Sequence, residues 1–171
     1  MKKKIIFFLI SIFLIFSFVI FFKSLNKLNL YEPKSKIEDV PEFSITTFLE
    51  KKDVEKKDVF KKNKYYLLNI WASWCIPCRD EHSFLVNLSK NDKLEIIGLN
   101  YKDSLKNAEK FLNELGNPYK KILIDKDGTK AIEWGAFGVP ETFLVFENKI
   151  IKKFIGPLNI KSFAEIKKII Q

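Results

Sequence analysis

The chain has 171 residues, a length that suits one domain of ordinary size with its own hydrophobic core. Its 30 Lys and Arg against 21 Asp and Glu give a net charge of +9, but the lysines are spread over the whole chain and mixed with acids. Because no basic stripe is interleaved with aromatic residues, the charge does not indicate binding to nucleic acid, and no nucleic-acid partner is expected.

The N-terminus is apolar over nearly the length of a membrane span. Three lysines, Lys2–Lys4, precede the run Ile5–Phe22, which is apolar apart from two serines and approaches the length of a helix that crosses a bilayer. A cleavable signal peptide also begins with positive charge, but its apolar region is shorter and ends in small residues. Since Phe22 is followed by Lys-Ser-Leu-Asn-Lys, residues 1–23 are expected to be an uncleaved transmembrane anchor.

Lysines on both sides of this segment determine its expected orientation. Lys2–Lys4 and the amino terminus outweigh Lys23 and Lys27, and positive charge stays on the cytoplasmic side. The protein is therefore expected to cross a bacterial inner membrane once, with its C-terminal part in the periplasm. Residues 24–36 are polar and are expected to be a linker, followed by one domain at 37–171.

Strands and helices are predicted to alternate along this domain. Tyr65–Trp71 and Leu94–Tyr101 are apolar runs typical of strands that are buried on both faces. The first is followed by a predicted helix from Cys75 to about Lys90, and the second by a predicted helix over Asp103–Leu115. Strand, helix, strand, helix in this order predicts parallel strands with right-handed crossovers.

The C-terminal part predicts a short strand, a hairpin and a last helix. Ile122–Ile124 is the short strand, while Thr142–Phe146 and Ile150–Ile155 flank a turn and are predicted to pair antiparallel. Asn159–Ile170 is predicted to be the last helix. Earlier in the chain, the lysine-rich stretch Lys51–Lys64 is interpreted as a solvated face or loop.

The two cysteines of the chain stand as Cys75-Ile76-Pro77-Cys78, at the start of the first predicted helix. A structural zinc site needs four ligands, whereas this chain adds only one histidine, His82, so neither a metal nor an external cofactor is expected. A purely structural disulfide is a second alternative, but closing so short a loop removes little entropy from the unfolded chain. The residues favour a redox-active disulfide between Cys75 and Cys78.

The start of the helix assigns different roles to the two cysteines. Backbone N–H groups and the positive end of the helix dipole favour a thiolate at Cys75. Cys75 is therefore expected to be the exposed nucleophile, and Cys78, one turn further in, the buried resolving thiol. In the reducing direction Cys75 attacks a substrate disulfide, and Cys78 then attacks Cys75 to release the reduced substrate.

Four segments resemble a known family: Leu68–His82 with Trp-Cys-Ile-Pro-Cys, Asn100–Asp103, Leu115–Tyr119, and Gly135–Phe143 with Gly-Val-Pro-Glu-Thr-Phe. The order of elements resembles the thioredoxin fold, an α/β fold with a mixed central sheet flanked by helices. The segments resemble the DsbE/CcmG family, membrane-anchored thiol:disulfide interchange proteins of cytochrome c maturation, over about Pro41–Gly156. The last segment distinguishes this family from general thioredoxins and from DsbA-type oxidants.

The resemblance implies a substrate groove beside the disulfide. The matching proline of the thioredoxin fold is cis and faces the disulfide, so Pro140 is expected to do the same, although by itself it also fits an ordinary turn. Val139 is then expected to pair its main chain with an extended substrate segment. Trp74 is expected to pack beside Cys75 on the substrate face.

The proton acceptor for the resolving thiol has two candidates, because Asn69 stands where ordinary thioredoxins carry a buried aspartate. Glu81 lies one turn beyond Cys78, and Glu141 follows the proline. Both are expected to line the groove and to raise each other's pKa if desolvated, and the alternative is that both are solvated surface acids. His82 is interpreted as an exposed helix residue without a chemical role.

The function implied by the resemblance is that of a protein-disulfide reductase. Its expected substrates are the haem-binding cysteines of apocytochrome c, or a partner thiol protein of cytochrome c maturation. Electrons are expected from a DsbD- or CcdA-like membrane donor. Two alternatives remain open: a general periplasmic disulfide reductase or oxidant, and a chaperone that binds apocytochrome without turnover.

Overall fold

The computed structural model describes residues 2–26 and 38–171. The chain divides into an N-terminal unit, Met1–Lys34, and a second unit, Ser35–Gln171. The expected linker lies outside the described residues from position 27 onward. Its first three residues continue the N-terminal helix, because neither Gly nor Pro is present there to end it.

The N-terminal unit contains helix α1, Lys2–Asn26. Within it, Lys4–Lys23 is long and apolar enough to cross a membrane, judged by its length and composition. No other helix among the described residues is both long and apolar enough to cross a membrane. An N-terminal signal sequence meets the same criteria of length and composition. The expected apolar helix is therefore present.

Six strands of the second unit form a mixed sheet. Across the sheet they are β1 (Glu38–Asp39), β8 (Lys149–Ile155), β7 (Glu141–Phe146), β4 (Tyr65–Trp71), β5 (Leu94–Tyr101) and β6 (Lys121–Asp125). Strands β4, β5 and β6 are parallel, whereas β7 is antiparallel to both of its neighbours, β4 and β8. The predicted parallel strands and the predicted hairpin are both confirmed.

Each face of this sheet is covered, which explains why β4 and β5 are apolar along nearly their whole length. One face carries helices α3 (Ile76–Leu88), α4 (Leu105–Leu115) and α6 (Ile160–Ile169). The other carries the hairpin β2 (Ser44–Thr46) and β3 (Asp53–Glu55), with helices α2 (Lys56–Val59) and α5 (Thr129–Glu133). The result is a thioredoxin-like α/β fold, as the resemblance implied.

Side-chain caps place the helix starts close to their predicted positions. Cys75 caps α3, Ser104 caps α4 by accepting the N–H of Asn107, and Asn159 caps α6. Helix α4 ends at Gly116, whose φ of 89° favours glycine. These starts follow from local chemistry, which is why the sequence predicted them.

Most lysines of Lys51–Lys64 are exposed, as the interpretation of a solvated face implied, but the stretch is not a loop. The stretch contains strand β3 and helix α2, and three of its apolar side chains, Val54, Val59 and Phe60, are buried against the sheet. The lysines lie on the outer side of these short elements. The many lysines of this stretch therefore concealed its three core residues in the sequence.

Helix α5 was not predicted either. It begins after Gly128, which has a φ of 83°, and the buried carboxylate of Asp125 accepts the N–H groups of Gly128, Lys130 and Ala131. The helix has five residues, too few for an apolar periodicity to appear in the sequence. A side chain from the preceding strand stabilises its first turn instead.

Candidate active site

Cys75 and Cys78 form a disulfide at the start of α3, directly after strand β4. The Sγ of Cys75 accepts a hydrogen bond from the N–H of Cys78 at 3.2 Å. This N–H of the first helical turn therefore points toward the sulfur, and together with the helix dipole it stabilises negative charge there once the bond is reduced.

Both cysteines are buried in the disulfide form. Cys75 is 4% exposed and Cys78 is 1% exposed, so the expectation of an exposed Cys75 is wrong for this state. The neighbouring side chains Trp74 and Ile76 are 56% and 75% exposed, so they form an apolar protein surface next to the disulfide.

The short segment between β4 and α3 is held by the segment that follows β5. The carboxylate of Asp103 accepts the N–H of Ser73 at 2.6 Å and its hydroxyl at 2.7 Å. The indole N–H of Trp74 donates to the carbonyl oxygen of Lys102 at 3.0 Å. Asp103 was not singled out from the sequence, because its role depends on the adjacent ends of two parallel strands.

The Val139–Pro140 peptide bond is cis, as the resemblance implied. Pro140 directly precedes β7, whose first residue, Glu141, pairs with Ile70 near the end of β4. Since the disulfide follows the C-terminal end of β4, the proline and the disulfide lie at the same end of these two neighbouring strands. Pro140 is buried and Val139 is partly exposed.

Glu81 lies in a buried polar network on the face of the sheet that α3 covers. Its Oε1 accepts the amide of Asn69 at 2.8 Å, and its Oε2 accepts the N–H of Leu158 at 2.7 Å. Asn69 donates its second amide hydrogen to Thr142 and accepts the hydroxyl of Tyr119. Burial raises the pKa of Glu81 to about 7, against the lowering effect of its two hydrogen bonds.

Glu141 is buried in a different environment. Its Oε1 accepts the N–H groups of Phe137 at 2.7 Å and Gly138 at 3.1 Å. Its Oε2 lies 2.7 Å from the Nζ of Lys153, as an ion pair rather than an aligned hydrogen bond. The alternative that Glu141 is a solvated surface acid is therefore excluded.

The expectation that the two acids share a groove and raise each other's pKa is wrong. Successive residues of a strand point to opposite faces, so Glu141 and Thr142 lie on different sides of the sheet. The network of Glu81 includes Thr142, whereas Glu141 faces the other side. The pKa of Glu81 is raised by burial alone.

His82 is buried, which corrects its interpretation as an exposed helix residue. Its Nε2 lies 2.8 Å from the carbonyl oxygen of Gly116, and its ring meets the ring of Phe111 edge-on. Burial lowers its pKa, which favours the neutral imidazole. Within 2–26 and 38–171, no group of three His, Cys, Asp or Glu is arranged to hold a metal.

Sequence comparison places the chain among known thiol:disulfide interchange proteins. The Redoxin family model matches residues 36–170. The thiol:disulfide interchange protein CycY of Rhizobium leguminosarum bv. viciae is 50% identical over 105 residues, which are 61% of this chain and 56% of that protein. DsbE of Vibrio cholerae serotype O1 is 37% identical over 172 residues, covering 96% of this chain and 92% of that protein.

Structural comparison supports the same fold. The thioredoxin domain of a thiol-disulfide oxidoreductase from Bacteroides vulgatus has a TM-score of 0.64 at 23% identity, over 78% of this chain and 96% of that chain. A DsbF homologue from Corynebacterium diphtheriae has a TM-score of 0.67 at 23% identity, over 80% and 88%. With a Cys-x-x-Cys disulfide at the helix start and a relative matched over almost its whole length, the chain belongs to the DsbE/CcmG family of thiol:disulfide oxidoreductases in the thioredoxin superfamily.

Proposed function

We propose that the protein is a membrane-anchored periplasmic reductant of cytochrome c biogenesis. Its substrates are the haem-binding cysteines of apocytochrome c, or those of a partner thiol protein that exchanges disulfides with them. The observation that carries this proposal is the position of the Cys75–Cys78 disulfide. It lies at the same end of the sheet as the start of the Gly-Val-Pro-Glu-Thr-Phe segment. That segment is the part of the sequence most specific to the family.

The location of the domain follows from the N-terminal unit. Residues 1–23 form a single membrane anchor, 24–36 a linker, and 37–171 the thioredoxin-like domain in the periplasm. The apolar segment Lys4–Lys23 and the lysines at the amino terminus support this arrangement. Tethering confines the reaction to the membrane surface.

A reductant in this compartment depends on a supply of electrons. The periplasm is oxidising, so each turnover leaves the Cys75–Cys78 pair as a disulfide that has to be reduced again. A DsbD- or CcdA-like membrane protein supplies these electrons through its own thiol pair. The oxidised form described here is the form that such a donor binds.

The reaction proceeds through two thiol–disulfide exchanges. The thiolate of Cys75 attacks one sulfur of the substrate disulfide, and the other substrate sulfur leaves as a thiolate. Cys78 loses its proton and attacks Cys75, which releases the second substrate thiolate and restores the Cys75–Cys78 bond. Both electrons of the pair have then passed to the substrate.

Glu81 is the group that accepts the proton of Cys78. The two residues are three positions apart on α3 and therefore lie on the same side of the helix. A pKa of about 7 leaves Glu81 able to take up a proton near neutral pH. Glu141 is paired with Lys153, which makes it unsuitable for this role.

The substrate segment lies beside Val139 and Trp74. Val139 is partly exposed and offers its main chain to an extended peptide, while the exposed ring of Trp74 offers apolar contact. Trp74 is fixed by its bond to the carbonyl oxygen of Lys102. This groove orients a substrate disulfide toward Cys75.

The experiment that tests the proposal uses the reduced full-length chain, in detergent, and an oxidised peptide containing Cys-x-x-Cys-His. We expect complete reduction of the peptide by the wild type and none by Cys75→Ser, and we expect Cys78→Ser to accumulate a mixed disulfide through Cys75. A peptide of equal length with an unrelated disulfide is the control for a general reductase. Equal rates with both peptides, or unchanged cellular function of Cys75→Ser, would contradict the proposal.

A further inference from the structure

Lys153 is a lysine whose charge is largely withdrawn from water. It lies in β8 opposite Phe143 of β7, so that its side chain is on the same face of the sheet as Glu141, two residues along. Its Nζ lies 2.7 Å from the Oε2 of Glu141, and the two side chains are 14% and 2% exposed. At the start of β7, Glu141 is therefore buried and Lys153 is largely covered.

Both members of this pair bind the segment that leads to the cis-proline. Lys153 donates to the carbonyl oxygen of Gly135 at 2.6 Å, and Glu141 accepts the N–H groups of Phe137 and Gly138. The ammonium group also lies 4.4 Å from the centre of the Phe137 ring, which is 77% exposed. The ion pair thus fixes main-chain groups at both ends of 135–138.

The two charges depend on each other. A carboxylate or an ammonium group this far from water is costly unless an opposite charge and hydrogen bonds accompany it. Without Lys153, Glu141 keeps two backbone donors but no counter-charge. We therefore expect the loss of Lys153 to displace Glu141, and with it the amides of Phe137 and Gly138.

The adjacent lysine provides a contrast. Lys152 pairs with Glu165 of α6 at 2.7 Å, and it lies on the opposite face of the sheet because successive strand residues alternate. It is a lysine of the same strand with an ion pair of the same length. Its contacts do not include the segment before Pro140.

We propose that Lys153 is a positioning residue for substrate recognition. Together with Glu141 it holds Gly135–Gly138, and thereby sets the main chain of Val139 and Pro140 beside the disulfide. Glu141 acts here as an anchor for the loop and not as an acid or base. This inference rests on the proposed function, in which Val139 pairs with the substrate.

The test compares Lys153→Met, Lys153→Arg and the control Lys152→Met in the full-length chain. Single-turnover reduction of the Cys-x-x-Cys-His peptide by each reduced protein gives a half-saturating peptide concentration and a maximal rate. For Lys153→Met we expect the half-saturating concentration to rise about tenfold, which corresponds to about 1.4 kcal/mol and to the loss of about one hydrogen bond to a charged group. Lys153→Arg keeps the charge and should remain close to wild type, as should Lys152→Met.

A small thiol separates positioning from general damage. Dithiothreitol makes no extended main-chain contact with Val139, so its rate of reducing the Cys75–Cys78 bond should fall much less in Lys153→Met than reduction of the peptide does. Equal losses with peptide and dithiothreitol would overturn the inference, and so would an unchanged half-saturating concentration. If Lys153→Met fails to fold, the double variant Lys153→Met with Glu141→Gln removes both charges and takes its place.

Amide hydrogen exchange tests the anchoring independently of any substrate. The N–H groups of Phe137 and Gly138 should lose protection in Lys153→Met and keep it in Lys152→Met. Unchanged protection would overturn the inference even if the peptide proves not to be a substrate. Failure of the wild type to reduce the peptide, with protection lost as expected, would instead contradict the proposed function alone.

Discussion

At the scale of single residues, Glu81 has the most consequential environment in the site. Within the described residues, the carboxyl group accepts two hydrogen bonds and makes no ion pair, in a fully buried position. Burial therefore dominates and raises the pKa to about 7 from an ordinary value of 4.5. The same shift has consequences for both stability and chemistry.

For stability, the folded protein binds a proton at Glu81 between pH 4.5 and about 7, where the unfolded chain has released it. The contribution is fully present below pH 4.5 and is lost as the pH rises through the folded value. Relative to Glu81→Gln, the free energy of unfolding of the wild type should fall by about 3 kcal/mol across this window. Urea unfolding of both proteins at a series of pH values checks this, and a constant difference would contradict the raised pKa.

For chemistry, Glu81→Gln should slow the second exchange, in which Cys78 attacks Cys75, by about 100-fold. The wild-type rate of this step should rise as the pH passes about 7, because Glu81 accepts a proton only when ionised. Quenched-flow measurement of the decay of the mixed disulfide provides the rate. Asp80→Asn is the matched control, since Asp80 is adjacent on α3 and exposed, and an equal loss in both variants would exclude a specific role.

The sequence predicted the cysteine pair and the cis-proline better than the buried polar contacts around them. The Cys-x-x-Cys pair and Pro140 follow from short motifs, and the disulfide and the cis bond are both present. The burial of Glu81 and Glu141 and the partial burial of Lys153 depend on contacts between strands and helices that are distant in sequence. The sequence spacing of such residues carries no signal for those contacts.

At the scale of elements, helix α3 and strand β4 were predicted because each has a local pattern. The strand is continuously apolar, and the helix begins at a cap with proline in its first turn. Elements β2, β3 and α2 have three or four residues each, and α5 has five, too short for such patterns. Their positions depend on packing against the sheet.

The hydrogen bonds between Asp103 and Ser73 join the segment after β5 to the segment that carries the disulfide. Asp103→Ala leaves the N–H and hydroxyl of Ser73 without their acceptor, at an expected cost of about 1–3 kcal/mol in the free energy of unfolding. Urea unfolding measures this loss, and Asp92→Ala, at an exposed position, serves as control. Equal stability of the two variants would show that Asp103 does not hold this segment.

At the scale of the whole molecule, the proposed topology makes residues 1–23 a membrane anchor and puts the domain 37–171 in the periplasm. Alkaline phosphatase fused after residue 171 should be active in a bacterial host, because that enzyme requires an oxidising compartment. Removal of residues 2–23 should leave the fusion inactive. An inactive full-length fusion, or one active without these residues, would contradict the periplasmic location.

The central claim is that the Cys75–Cys78 pair works as a reductant, and its equilibrium reduction potential tests this most directly. The full-length chain in detergent is titrated against dithiothreitol or glutathione, with tryptophan fluorescence as the readout because Trp74 adjoins Cys75. We predict a value toward that of thioredoxin, about −270 mV, and away from the value of about −120 mV of a strong periplasmic oxidant. A value near about −120 mV would contradict the proposal and would identify a disulfide-forming enzyme instead.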